Sequence, residues 1–179
     1  MKILKDLIQK RFNKIEKKNY FGYPLLDDAF SAEDISSAME VLLSKKITMG
    51  EITNEFEYEF ANYIGSKYAL MVNSGSSANL LAAFALVNPL KKNHLKIGDE
   101  FLIQSLCWST SLWPMVQAGL RPKFIDVNVR TLNIEPEEFF RSITKKTKAA
   151  MIVHVLGNCS DIDFIKKIGK KKNLYLIED

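Results

Sequence analysis

Asn73-Ser74-Gly75-Ser76-Ser77 follows a short apolar run and leads into a long apolar stretch that reads as a helix from about residue 78 to 87. The first turn of a helix leaves backbone N–H groups without partners, and the helix dipole adds partial positive charge there. Such a start holds an anion, a phosphate above all. Ser76 and Ser77 add hydroxyl donors, and Gly75 lets a ligand approach the backbone. The bland alternative is a serine N-cap after a glycine turn. No Gly-Lys-Ser/Thr follows, so this is not a nucleoside-triphosphate loop, and the chain has no Gly-x-Gly-x-x-Gly.

Three more places carry chemistry. Trp108, within Cys107-Trp108-Ser109-Thr110, offers a flat face to a planar ligand, although a tryptophan is also a common core residue. His154 stands before Gly157-Asn158, with nothing near it in sequence to build a metal site. Asp179 ends an apolar run. A carboxylate there accepts from a pyridinium N–H, a charge-assisted bond of about 1.5–3 kcal/mol that keeps the ring protonated and electron-withdrawing. The alternative is a solvated terminal aspartate.

The elements that must position these groups follow from hydrophobic patterning. Short apolar runs at 68–72, 101–105, 123–127, 149–155 and 174–177 read as strands. They alternate with helices expected at about 78–87, 109–118, 136–142 and 162–171. Continuous apolar strands between helices predict an α/β fold, a mostly parallel sheet sandwiched by helices. Ligands of such sheets bind outside the C-terminal strand ends, and the serine loop, Trp108 and Asp179 all fall there. Together they describe a phosphate cradle, a ring-stacking face and a pyridine-nitrogen carboxylate, the layout expected for pyridoxal phosphate.

Residues 1–20 read as a basic amphipathic helix with Leu4, Ile8, Phe12 and Ile15 on one face. Residues 21–66 form a helical segment: a loop at 19–30 with Gly22 and Pro24, a helix opened by a Ser31-to-Asp34 capping box, and a second helix marked by Phe56, Phe60, Tyr63 and Ile64 and closed by Gly65. Residues 67–179 form a partial α/β domain. A strand that stops at Glu178-Asp179 with no covering helix predicts the N-terminal portion of a larger fold, or a fold completed by a partner.

Composition excludes several classes. With 179 residues, 47% hydrophobic and 26% charged, the chain is neither disordered nor a coiled coil. Two cysteines, Cys107 and Cys159, make neither a disulfide framework nor a four-ligand zinc site, so a reducing, cytoplasmic setting is the simplest expectation. No apolar run suits a membrane span. The net charge is +4, and residues 1–18 carry seven basic groups against two acidic ones. The remainder is close to neutral, which argues against a nucleic-acid partner.

Further segments carry a family likeness: Tyr23-Pro24-Leu25, Ile47-Thr48-Met49-Gly50, Glu55-Phe56-Glu57, the stretch from Asn73 to Asn79, Gly98-Asp99-Glu100, the stretch from Gly119 to Asp126, Asn133-Ile134, His154 to Gly157, Asp161, and Leu176-Ile177-Glu178-Asp179. In this order they resemble the DegT-type family of pyridoxal-phosphate-dependent nucleotide-sugar aminotransferases, over roughly residues 21–179. The resemblance implies the large domain of fold type I, incomplete because its C-terminal part is absent. It implies that Gly75, Ser76 and Ser77 bind the cofactor phosphate, that Trp108 stacks on its ring, and that Asp179 pairs with its pyridine nitrogen. His154, Asp126 and Asp161 match family positions of architectural character. The Schiff-base lysine is expected beyond residue 179, so no catalytic residue is assigned here and the chain alone is expected not to complete a transamination.

The implied activity moves an amino group, commonly from glutamate, to a keto-sugar nucleotide used in surface polysaccharide such as lipopolysaccharide O-antigen. The implied partner is a second copy in a homodimer, or a complementing C-terminal part. The wording looks most like the CDP-4-keto-6-deoxyglucose 3-dehydrase branch, which replaces the lysine by histidine and usually carries an iron–sulfur cluster; neither Cys107 nor Cys159 is assigned to that cluster. A fragment of such a dehydrase and a non-catalytic truncated relative are the alternatives.

Overall fold

A computed structural model describes residues 2–14 and 29–179. Ile15, Tyr23-Pro24-Leu25 and most of the expected 19–30 loop lie outside the described residues. The chain divides into two compact units, Met1–Met71 and Val72–Asp179.

The first unit holds α1 (Lys2–Phe12), α2 (Ala32–Ser44) and α3 (Glu51–Ile64). The capping box at α2 forms as its spacing requires. The Ser31 hydroxyl accepts from the Asp34 N–H at 3.2 Å, and the Asp34 carboxylate accepts from the Ser31 N–H at 2.7 Å. Hydrogen bonds from the Ser31 backbone and hydroxyl favour the charged carboxylate and hold Asp34 below the usual carboxyl range. Gly65 closes α3 at a φ of 70°, where a side chain is disfavoured. Phe56 and Phe60 stack with ring centroids 5.5 Å apart, and both remain exposed.

The second unit is α/β. In chain order it contains α4 (Gly75–Val87), β1 (Glu100–Gln104), α5 (Ser109–Gln117), β2 (Arg121–Ile125), α6 (Pro136–Ser142), β3 (Thr147–Ile152), α7 (Ile162–Lys172) and β4 (Tyr175–Glu178). A single 3₁₀ turn, Val155–Gly157, follows β3. The four strands are parallel in the order β2-β1-β3-β4. Side chains alternate across the sheet, so each strand feeds two cores. Phe101, Ile103 and Met151 pack with Ala83, Leu86 and Met115 of α4 and α5. Leu102, Ala150 and Ile152 pack with Phe139 of α6 and Ile165 of α7. Helices therefore cover both faces, which is why the central strands are buried on both sides, β1 from Phe101 to Gln104 and β3 from Ala149 to Ile152; the edge strand β2 keeps Arg121, Pro122 and Phe124 exposed.

Two expectations are corrected. Residues 68–72 are not a strand. A strand needs a neighbour for its N–H and C=O groups, and among the described residues none pairs with this run; Tyr68 and Leu70 are exposed. The helix expected from residue 78 begins at Gly75, because Ser74, three residues earlier, is its N-cap and accepts the Ser77 N–H on its hydroxyl at 3.2 Å.

The strand order also places a binding edge. From β1 the chain steps outward to β2, then returns past β1 to β3 and on to β4. Right-handed crossovers in opposite directions put their helices on opposite faces, so the loops after β1 and β3 diverge and open a crevice at the strands' C-terminal ends. Gln104, fully buried, spans those two ends. Its side-chain carbonyl accepts the Val153 N–H at 3.2 Å, and its amide donates to Leu106 O at 3.1 Å.

Candidate cofactor site

α4 begins the site. Ser74 uses its hydroxyl and carbonyl on the N–H groups of Ser77 and Ala78, at 3.2 and 3.0 Å. The N–H groups of Gly75 and Ser76 have no hydrogen-bond acceptor among the described residues, and both residues are exposed. A Cβ built on Gly75 meets no protein atom within 4 Å, so the space beside this backbone is open. An anion fits there with two N–H donors and the Ser76 hydroxyl.

α5 is tied to α4 through a proline. Pro114 lies inside α5 and has no N–H, which leaves the carbonyl four residues earlier, Thr110, without its helical partner. The buried Asn79 amide, on the second turn of α4, donates to that carbonyl at 3.3 Å. Asn79→Ala is expected to cost about 1 kcal/mol, the net worth of one hydrogen bond to a partly buried carbonyl. In a Pro114→Ala background the restored N–H takes the same carbonyl and the cost shrinks. A double-mutant cycle in urea reads the difference.

α5 in turn reaches β4. Trp108 is the N-cap of α5, and its carbonyl accepts the Ser111 N–H at 3.0 Å. The Trp108 side chain is 70% exposed, so it is a surface face rather than core. Ser111 is fully buried and its hydroxyl donates to Oδ2 of Asp179, just past β4. Asp179 is held from behind by the sheet: its carbonyl accepts the His154 N–H at 2.9 Å, and its N–H donates to Ile152 O at 2.8 Å. One run of contacts thus links the first two turns of α4, the first turn of α5 and the residue after β4. Gly75, Ser76 and Ser77 make no hydrogen bond to Trp108 or Asp179 among the described residues.

Gly75, Ser76, Trp108 and Asp179 are all exposed to solvent. A cavity of about 490 Å³ lies in the first unit, lined by Ser37, Val41, Ile47 and Ile52, and none of the candidate residues lines it. Burial, together with the negative charge of Asp179, pushes the Cys107 thiol above its ordinary value. Asp179→Asn removes one of those two causes. Alkylation of Cys107 near neutral pH is therefore expected to speed up in that variant, measured by mass spectrometry with Cys159, which is exposed, as the internal reference.

The remaining sequence candidates are structural in their contacts. His154 accepts the Ser160 N–H on Nδ1 at 3.1 Å, which leaves Nε2 as the protonated nitrogen facing Glu178 at 3.4 Å. Asp161 caps α7, accepting the Phe164 N–H at 3.2 Å. Asp126 accepts the Val127 N–H at 2.8 Å. Among the described residues no group of three His, Cys, Asp or Glu side chains gathers to hold a metal. No described helix is long and apolar enough to cross a membrane.

Sequence reading missed Ser111. Its signal was present: Ser111, Pro114 and Met115 share the buried face of α5, and a polar residue in that register needs an internal partner.

Comparison with known proteins gives the family. The DegT/DnrJ/EryC1/StrS aminotransferase family matches residues 28–179. This chain belongs to that family. It is 39% identical over 163 residues to a GDP-4-keto-6-deoxy-D-mannose 3-dehydratase of Yersinia pseudotuberculosis, covering 91% of this chain and 41% of that relative. It is 39% identical over 149 residues to the lipopolysaccharide biosynthesis protein RfbH of Salmonella typhimurium, covering 83% of this chain and 34% of that one. A solved structure of the E. coli GDP-4-keto-6-deoxy-D-mannose-3-dehydratase with bound hydrated PLP superposes with a TM-score of 0.81 at 42% identity, over 90% of this chain and 41% of that one. Members of this family thus include PLP-binding enzymes of nucleotide-sugar and lipopolysaccharide biosynthesis. The chain spans about two fifths, or less, of the length of these relatives.

Proposed function

We propose that this chain carries the pyridoxal-phosphate-holding part of an enzyme that remodels a keto-sugar nucleotide for surface polysaccharide, on the 3-dehydratase side of the family. The carrying observation is the Ser111–Asp179 bond, which joins the end of β4 to the turn that displays Trp108. The N–H groups of Gly75 and Ser76, with the Ser76 and Ser77 hydroxyls, bind the phosphate. Trp108 covers one ring face and excludes water from it. Asp179 holds a proton at the pyridine nitrogen. Bound pyridoxal phosphate supplies an electron-withdrawing ring that stabilises negative charge on an attached carbon. Similarity near 40% to two 3-dehydratases, one acting on a GDP-linked 4-keto-6-deoxy sugar by name and one solved with PLP, supports this branch over amino transfer. The sugar then loses a hydroxyl instead of gaining an amine. A homodimer is the assembly this reading carries.

In the 3-dehydratase branch of the resemblance a histidine takes the place of the Schiff-base lysine, so on this reading the cofactor is expected to bind without a covalent link to the protein. Titration with pyridoxal phosphate is expected to quench Trp108 emission saturably, and borohydride is expected to leave no stoichiometric lysine adduct. A borohydride-stable adduct at one specific lysine would place the tether inside this chain. Absence of saturable quenching would remove the cofactor reading altogether.

A further inference from the structure

Serines inside helices usually return their hydroxyl to a carbonyl one turn back. Ser36 does so to Ala32 O at 2.8 Å, Ser37 to Glu33 O at 3.0 Å and Ser44 to Val41 O at 2.7 Å. Ser111 departs from that pattern. Its hydroxyl leaves its own helix and crosses 68 residues of sequence to Oδ2 of Asp179. Ser111 is fully buried, and its backbone is locked by the N–H bond to the Trp108 carbonyl at 3.0 Å. The hydroxyl thus stands on a backbone fixed by that bond, and among the described residues it bonds to Asp179 rather than to a carbonyl one turn back. Among the described residues no other side chain donates to the Asp179 carboxylate.

From this geometry we propose that Ser111 is a positioning residue: its hydroxyl pins one carboxylate oxygen of Asp179 so that the other is presented to the pyridine nitrogen of the cofactor. The inference rests on the reading of Asp179 as the pyridine partner given above. A carboxylate on a strand end is otherwise able to rotate about its side-chain torsions, and a rotating acceptor loses part of its charge-assisted bond to orientation. Pinning one oxygen through a buried donor fixes the angle of the second without adding a group to the ligand face. It also couples the ring-stacking turn to the proton-holding carboxylate, because Trp108 and Ser111 belong to the same first turn of α5.

The test has two readouts on the whole chain, one of them without cofactor. In the wild type the Asp179 Hα–Hβ couplings are expected to report one staggered rotamer. In Ser111→Ala, with an otherwise unchanged amide spectrum, they are expected to average. With pyridoxal phosphate labelled with ¹⁵N at the pyridine position, the wild type is expected to hold that nitrogen protonated near neutral pH. Ser111→Ala is expected to lower its basicity about tenfold, and Asp179→Asn by more. Unchanged Asp179 couplings in Ser111→Ala overturn the positioning role while leaving the cofactor reading standing. A pyridine resonance that is the same in Asp179→Asn and wild type, or a nitrogen that never differs from the free cofactor, overturns the Asp179 reading and the inference with it.

Discussion

Asp179→Asn is expected to weaken pyridoxal phosphate binding roughly 10- to 100-fold and to leave the fold intact. The loss corresponds to one charge-assisted hydrogen bond, about 1.5–3 kcal/mol. The fold survives because the backbone of this residue, not its side chain, joins the sheet edge, through His154 and Ile152. The asparagine keeps the shape and still accepts from the Ser111 hydroxyl, so local packing is preserved. What changes is the charge: a neutral amide cannot hold the pyridinium proton. Calorimetric titration with the cofactor reads the affinity, and urea unfolding reads the stability. Unchanged affinity would take Asp179 out of the site.

Phe101→Ala is expected to have the opposite signature. Phe101 is fully buried in β1, between the sheet's central strands and the α4–α5 layer. Removing it leaves a cavity under both helices that present the candidate residues, at a cost of about 3–5 kcal/mol. Small domains have total stabilities of about 5–15 kcal/mol, so this one substitution removes a large part of the margin. The urea midpoint is expected to fall steeply, and cofactor binding to fall only as the folded fraction does. Trp108→Ala provides the contrast. The side chain is 70% exposed, so stability is expected to change little while binding weakens through loss of the stacking face. Equal stability losses in Phe101→Ala and Trp108→Ala would contradict the placement of Trp108 on the surface.

Local signals in the chain were enough for much of this fold. Ser31 and Asp34 start α2, Pro136 starts α6, Asp161 starts α7 and Gly65 ends α3, each at the residue where capping chemistry puts it. The parallel sheet was legible because its central strands, β1 and β3, supply apolar residues to both faces. Residues 68–72 were misread because an apolar run states a preference for extension, while a strand is made by its neighbour. The expected strand at 149–155 ends at Ile152, where the chain turns into Val155–Gly157 with Leu156 at a φ of 54°. No composition rule announces that turn. Trp108 and Asp179 were legible as residues that follow apolar strands, β1 and β4, whereas the serine turn at Ser74–Ser77 was placed after a strand that does not form. Ser111 and Asn79 were not legible, because their roles depend on which helix lies beside which. Asn79 acts on a carbonyl that Pro114 leaves open 31 residues away.

The central claim is that the first turn of α4, the first turn of α5 and the residue after β4 make one cofactor site. It is tested most directly by adding pyridoxal phosphate to the ¹⁵N-labelled chain and following amide and indole resonances. One saturation curve is expected to be shared by the Gly75, Ser76 and Ser77 amides, the Trp108 indole N–H and the Asp179 amide. Shifts confined to Met1–Met71, or different curves for Ser76, Trp108 and Asp179, would contradict it.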